Sequence, residues 1–327
     1  MKKAILVLTN SEDGAHSKVV IAKLISRGER VFRMDSDRLA TGAVKVRFSV
    51  NQEGVEFIFK DGRDRLASDE IKSVWYRRPN HFNLGIHDSV QKAYAERELS
   101  ALLEGLWAVA PEDIFWVSNP RALENARKKI AQIKLARSMN LHVPQTIISN
   151  DPEEIRSFYE ACNGRIVFKA IYHEHLDYGT HSFNVPTTMI TSAHLKRLDL
   201  IRTAPGFFQE FVERACELRI TAVQDQLFPV RVAPHTGDIT AVDWRDPHLE
   251  ENLTHTLVEI PAGIAEICRS MLRKLDLAFG AFDFLVDKEG EIYFLEVNPN
   301  GQWYWLEAKT GVLISDAIAD SLTTERR

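Results

Sequence analysis

The feature that most constrains this chain is a pair of apolar strands near its C-terminal end with oxygen ligands set into them. Residues 279–286 and 291–297 read as strands, and the turn at 287–290 is short enough to pair them antiparallel. Asp283 interrupts the first (Ala-Phe-Asp-Phe-Leu-Val), and the second (Ile-Tyr-Phe-Leu-Glu-Val-Asn-Pro) ends in Glu296 and Asn298. Side chains two apart on a strand share a face, so Glu296 and Asn298 project together while Asp283 approaches from the neighbouring strand. A carboxylate deep in an apolar strand needs a partner, either hydrogen-bond donors or a cation. Oxygen ligands without a thiol suit a hard cation such as Mg²⁺, which also takes waters and phosphate oxygens.

The chain opens with an aliphatic run at 4–8, a helical pattern at 15–28 and a second strand at 31–34. Strand, helix and strand in so short a span predict a βαβ unit, hence an α/β beginning. Residues 43–49 and 55–60 alternate around a turn at 51–54 and predict a hairpin; a strand follows at 71–76 and a helix at 88–110. Asn119-Pro120 marks a boundary, after which one helix carries Asn125, Arg127, Lys128 and Lys129 as far as His142. Asn140 lies at its end. A strand at 166–170 holds the lone Lys169, and the polar stretch 172–188 reads as a loop or mobile hairpin. Strands at 207–212, 218–224 and 227–233 precede an irregular stretch to about residue 260, a helix at 262–275 and a helical tail at 311–322. The fold class is α/β with α+β lobes, and 327 residues are enough for two or three of them.

Composition narrows the chemistry. A net charge of −5 argues against a dedicated nucleic-acid binder, which needs a basic surplus to neutralise phosphates. Cys162, Cys216 and Cys268 have neither disulfide-framework nor zinc spacing. The apolar run after Met1 is broken at Asn10, too soon for a signal peptide, and no stretch approaches the roughly 20 apolar residues of a membrane span. The expectation is a soluble, cytoplasmic protein. The histidines His173, His175 and His181 are too irregularly spaced for a metal cluster, and no Ser/His or Cys/His arrangement suggests a covalent nucleophile.

Taken together, the segment 283–303, Lys129, Lys169 and the hinge-like Phe208-Gln209-Glu210-Phe211-Val212 resemble the ATP-grasp superfamily. A P-loop pattern is absent. More narrowly, Tyr76-Arg77-Arg78-Pro79, Glu217-Leu218-Arg219-Ile220-Thr221, Asp243-Trp244-Arg245 and Asn298-Pro299-Asn300-Gly301-Gln302-Trp303 resemble the microviridin-type, or graspetide, ligases that macrocyclise ribosomal peptides. The resemblance spans almost the whole chain. It implies an ATP-grasp fold with an N-terminal pre-ATP-grasp domain (1–118), a central subdomain (119–205) with a possible lid at 172–188, and a C-terminal subdomain (206–327) holding the metal.

The roles it implies are these. Lys129, preferred to its neighbour Lys128 by its spacing to Val143-Pro144, and Lys169 meet ATP phosphates. Gln209, Glu210, Phe211 and Val212 form the adenine hinge, and Glu217 contacts the ribose. Arg219 holds the transferring phosphate or acyl phosphate, and Arg245 clamps the carboxylate to be activated, its alternative being a salt bridge to Asp243 or Asp246. Asp283, Glu296 and Asn298 hold Mg²⁺. The implied partner is a precursor peptide with leader and core segments, its Asp or Glu side chains joined to Ser, Thr or Lys. A homodimer is implied as well, and neither nucleic acid nor membrane is a partner. Another ATP-grasp ligase, adding glutamate or joining amino acids, and a silent binding protein on the same scaffold remain the alternatives.

Overall fold

The structure is a computed structural model that describes residues 2–52, 54–79, 82, 84–172, 185–234 and 252–324, with the backbone of 176–177 and 182–183. Its first part contains β1 (Ala4–Thr9), α1 (Ala15–Ser26), β2 (Arg30–Asp35), α2 (Ser36–Ala40), β3 (Val44–Asn51), β4 (Gly54–Asp61), β5 (Asp64–Ala67), β6 (Ile71–Tyr76), α3 (Ser89–Ala108) and β7 (Phe115–Val117). β2, β1, β6 and β7 form a parallel sheet in that order. All six residues of β1 are buried, as a strand covered on both faces requires. Its alternation sorts the two cores. Ile5 and Val7 pack with Val20 and Leu24 of α1, whereas Ala4, Leu6 and Leu8 pack with Phe57 and Phe59 of β4 and Leu103 and Leu106 of α3.

The next part holds α4 (Pro120–Ala126), α5 (Lys129–Ser138), β8 (Thr146–Ser149), α6 (Pro152–Ala161), β9 (Ile166–Lys169), β10 (Leu176–Asp177), β11 (Ser182–Phe183), β12 (Thr188–Met189), α7 (Ser192–Leu195) and β13 (Gly206–Glu210). The single helix expected after Asn119 is two. Asn119 caps α4 through its side chain with Pro120 at the first position, but the chain turns at Arg127–Lys128 and restarts as α5. α5 ends on Asn140 in the left-handed conformation (φ 60), which asparagine tolerates better than most residues. β12, β9, β13 and β8 form an antiparallel sheet under α6. β10 and β11, both within the stretch 172–188, pair antiparallel.

β14 (Arg214–Val223), β15 (Gln226–Pro234), β16 (Leu253–Leu257), α8 (Ala262–Lys274), β17 (Phe279–Asp287), β18 (Ile292–Asn298), α9 (Tyr304–Thr310) and α10 (Ile314–Thr323) complete the described chain. The five strands form one antiparallel sheet in the order β16-β15-β14-β17-β18. On one face Leu218, Ile220, Phe282, Phe284, Phe294 and Val297 pack against Cys268, Met271 and Leu272 of α8. Gly280 belongs to that packing, since a Cβ there would lie 2.8 Å from a Leu272 methyl. α10 returns to the first sheet and packs against α1, β6 and β7, with Ser73 Oγ donating to the Leu322 carbonyl at 2.7 Å. The stretch expected to be irregular up to residue 260 contains β16 at its end.

Candidate active site

The other face of the five-stranded sheet and the four-stranded sheet above it enclose a cleft with an empty volume of about 830 Å³, open solvent included. Its lining includes Lys129, Lys169, Gln209, Glu210, Phe211, Val212, Glu217, Asp283 and Glu296. Apolar walls come from Ile133, Pro144, Val167, Phe207, Leu285 and Leu295, the kind of surface that accepts a flat aromatic ring.

The floor is set by strand register. Arg219 of β14 stands opposite Asp283 of β17, and Asp283 stands opposite Glu296 of β18, so three charged residues form one cross-strand row. A register shift at Asp283/Phe284 inserts Leu295 as an unmatched residue. Leu295 and Glu296 therefore both face the cleft, while Phe294 and Val297 face α8. Arg219 Nη1 contacts Asp283 Oδ1 at 2.5 Å with both side chains buried, and its Nη2 donates to the Gln302 carbonyl at 3.3 Å. Lys129, at the start of α5, donates to the Ala170 carbonyl at 2.7 Å and lies 3.8 Å from Glu296 Oε2. Lys128 instead donates to Asn125 Oδ1 on the exposed side.

Across the cleft, Lys169 Nζ donates to Gln209 Oε1 at 2.6 Å, and Gln209 Nε2 donates to Thr146 Oγ1 at 3.0 Å. The buried Gln209 thus holds Lys169 by its side chain. The hinge amides of Glu210 and Phe211 donate to the carbonyls of Gln145 and Arg165. Among the described residues no hydrogen bond is formed by the amide of Val212, which lines the cleft. Glu217 faces Arg214 at 3.0 Å, a buried pair in which Arg214 was not foreseen; a lone arginine opening an apolar strand is the signal that could have marked it. Asn298 stands opposite Ala281 with its Oδ1 accepting the Asn300 amide at 3.0 Å; neither it nor Arg219 lines the cleft itself. Asp243, Arg245, Asp246, His173, His175 and His181 lie outside the described residues.

Two further residues tie the site together. Gln132 of α5 accepts from the Val297 amide at 2.9 Å and donates to the Val297 carbonyl at 2.8 Å, treating β18 as a neighbouring strand would. Arg77, at the end of β6, is 1% exposed; it faces Asp13 and donates to the carbonyls of Asn300 and Gly301. Burial, partly offset by Asp13, pulls its pKa down to about 10, so it stays cationic at neutral pH. No group of three or more His, Cys, Asp or Glu among the described residues could hold a metal ion. The oxygen groups expected to hold a metal, two carboxylates and an amide, have the chemistry of a site for Mg²⁺ rather than zinc, since Mg²⁺ keeps waters and phosphate oxygens in its shell. No described helix is long and apolar enough to cross a membrane.

Residues 4–124 match the family model of the MvdD pre-ATP grasp domain. Over 98% of this chain and 99% of the other, the structure superposes on macrocyclase MdnC from Microcystis aeruginosa MRC, solved with precursor peptide MdnA, at TM-score 0.87 and 28% identity. The chain is similar in fold over its whole length to graspetide-type ATP-grasp ligases, and its first part matches their pre-ATP-grasp domain. Macrocyclase MdnB of the same organism is 27% identical, with TM-score 0.82 and coverage of 98% and 99%. The fold is also that of a Chryseobacterium gregarium RiPP-associated ATP-grasp ligase, solved with ADP and a leader and core peptide: TM-score 0.89, 24% identity, coverage of 99% and 98%. Among curated proteins none matches by sequence. Two sheets face each other across the cleft, one carrying Lys169 and the other the acidic row.

Proposed function

We propose that the ligase activates Asp or Glu side chains of a ribosomal precursor peptide as acyl phosphates and closes them onto Ser, Thr or Lys as ester or amide macrocycles. The observation that carries this is one cleft lined by Lys129, Lys169, Asp283 and Glu296, with Arg219 seated beside Asp283 in the same cross-strand row, on a scaffold coextensive with MdnC. Lys129 and Lys169 offset phosphate charge, Val212 offers its amide to the adenine, and Glu217 faces the ribose. Asp283, Glu296 and Asn298 would hold Mg²⁺, which supplies charge stabilisation on phosphate oxygens. Arg219 holds the transferring phosphoryl group as the peptide carboxylate attacks the γ-phosphorus and ADP leaves. The acceptor hydroxyl or amine then attacks the acyl carbon and expels phosphate, so each ring costs the peptide one water. Arg245 is proposed to orient the carboxylate and 172–188 to cover the site, excluding water from the acyl phosphate.

The proposed division at residue 118 follows the last strand of the first sheet, whereas β13 (Gly206–Glu210) pairs with β8 and β9, so the sheets favour moving the second division from 205 to after Glu210; α10 folds back onto the first sheet. A homodimer remains part of the proposal. The test is incubation with a matched leader–core precursor and MgATP. The expected product has lost one water per ring with equal ADP release, and ADP release that yields an unmodified peptide would refute it. Arg245→Ala is expected to keep nucleotide binding and lose peptide modification; normal product would return Arg245 to a salt bridge.

A further inference from the structure

The loop joining β18 to α9 carries residues 299–303 between the proposed metal ligand Asn298 and the buried Trp303. Its shape is held at four points. The Asn300 amide donates to Asn298 Oδ1 at 3.0 Å, and the Gly301 amide to the Asn298 carbonyl at 3.3 Å. Arg77 Nη1 donates to the carbonyls of Asn300 at 3.0 Å and Gly301 at 3.2 Å, from the far end of the first sheet. The Gln302 carbonyl accepts from Arg219 Nη2 at 3.3 Å. Gly301 leaves the space that Arg219 occupies, since a Cβ there would lie 2.8 Å from Arg219 Nη2.

We infer that Arg77 is a positioning residue for phosphoryl transfer: by holding the carbonyls of Asn300 and Gly301 it fixes the loop whose Gln302 carbonyl seats Arg219. The inference rests on the proposed role of Arg219. An arginine that is 1% exposed is a costly way to bind two loop carbonyls, and its Nη2 has no hydrogen-bond partner among the described residues. An apolar side chain would fill the space at less expense, so stability alone does not account for it. What the guanidinium adds is a fixed direction for the loop, with the Asp13 carboxylate facing its Nε at 3.2 Å as an ion pair.

The experiment uses Arg77→Met combined with Asp13→Asn, which removes both charges and strands neither. Saturating precursor and MgATP give kcat, calorimetry gives MgADP affinity, and melting reports the fold. The expected result is a kcat loss of about 100-fold, the size that a small misplacement of a reacting group produces, with KM for precursor and MgADP affinity kept. Added to Arg219→Lys, the pair should lower kcat no further than Arg219→Lys alone, within about twofold. Multiplying losses, or MgADP affinity falling in step with kcat, would reduce Arg77 to a structural role. Should the double variant not fold, Arg77→Lys keeps the charge beside Asp13 without the planar fork, and wild-type kcat in it overturns the inference. Wild-type kcat in Arg219→Lys sinks the role of Arg219 itself, whereas loss there with normal kcat in the Arg77 variants sinks this inference alone.

Discussion

Asp283 and Glu296 are neighbours in one cross-strand row, yet their removal should have opposite signatures. Asp283 sits 2.5 Å from Arg219 with both side chains under one-tenth exposed. Asp283→Asn leaves that guanidinium with an amide oxygen and the Gln302 carbonyl. Breaking a buried pair costs about 3–5 kcal/mol, and the surviving hydrogen bonds return about 1, so about 2–4 kcal/mol is lost. At about 2–3 °C per kcal/mol in a chain of this size, the melting temperature falls by roughly 4–12 °C. Glu296 lies 3.8 Å from Lys129, beyond hydrogen-bond reach, and Lys129 keeps its bond to Ala170. Glu296→Gln keeps the side chain's shape and should therefore cost less than Asp283→Asn, about 1–2 kcal/mol.

The nucleotide reverses the ranking of what each variant reveals. MgADP at 100 times its dissociation constant adds about 2.7 kcal/mol to wild type, or about 6 °C. Glu296→Gln should melt closer to wild type than Asp283→Asn without ligand, lose that increment, and release no ADP with precursor. Thermal melts with and without MgADP, beside an ADP-release assay, read both quantities. If Glu296→Gln keeps the full MgADP increment and turnover, the metal assignment is wrong. If Asp283→Asn is no less stable than Glu296→Gln, the account of the Arg219 pair fails.

Other expectations follow from the same geometry. Lys169→Met leaves the buried Gln209 Oε1 without its 2.6 Å donor, so it should lower stability by about 1–3 kcal/mol as well as weaken MgADP binding in calorimetry; unchanged melting would contradict the tether. His16 has its pKa lowered to about 3, by burial first and then by Arg77 and Arg78. The unfolded chain binds that proton below about pH 6.5, so the stability is fully present above 6.5 and is lost as pH falls toward 3. Between pH 6.5 and 5 the loss should be about 1–2 kcal/mol, allowing for residual solvent at the ring. His16→Gln should flatten that slope in denaturant titrations, and an unchanged slope would exclude it. Trp303 is fully buried beside His16 at 5.1 Å between ring centroids, so Trp303→Ala should cost about 3–5 kcal/mol by chemical denaturation; a loss under about 1 kcal/mol would mean the interface closes over the gap.

Much of this was legible in the sequence wherever local pattern and tertiary environment agree. β17 and β18 fall within a residue or two of expectation because a mostly apolar strand pair around a tight turn has few other solutions. The same holds for β1, α1 and α8. α6 was missed although Asp151 caps it and Pro152 follows, a start signal outweighed by the polar residues on its exposed face. The break between α4 and α5 carries neither glycine nor proline; it is imposed by Ala126 and Gln132 docking on β18. At the site, residue types announced themselves while their partners did not. Nothing in the sequence says that Gln209 binds Lys169 by its side chain, that Arg214 covers Glu217, or that Arg77 reaches a loop more than 200 positions away. Those are contacts between segments, and one-dimensional spacing carries no record of them.

The unmatched Leu295 gives this strand something like a reading frame. Were the ladder regular from the pair Phe284 and Phe294 with Leu295 still in it, Asp283 would meet Leu295 and Phe282 would meet Glu296, sending that carboxylate into the packing under α8. Deleting Leu295 would instead make the ladder regular and leave Glu296 opposite Asp283, on the charged face. The bulge is thus what lets the segment carry one residue more than its partner strand without turning its carboxylate over.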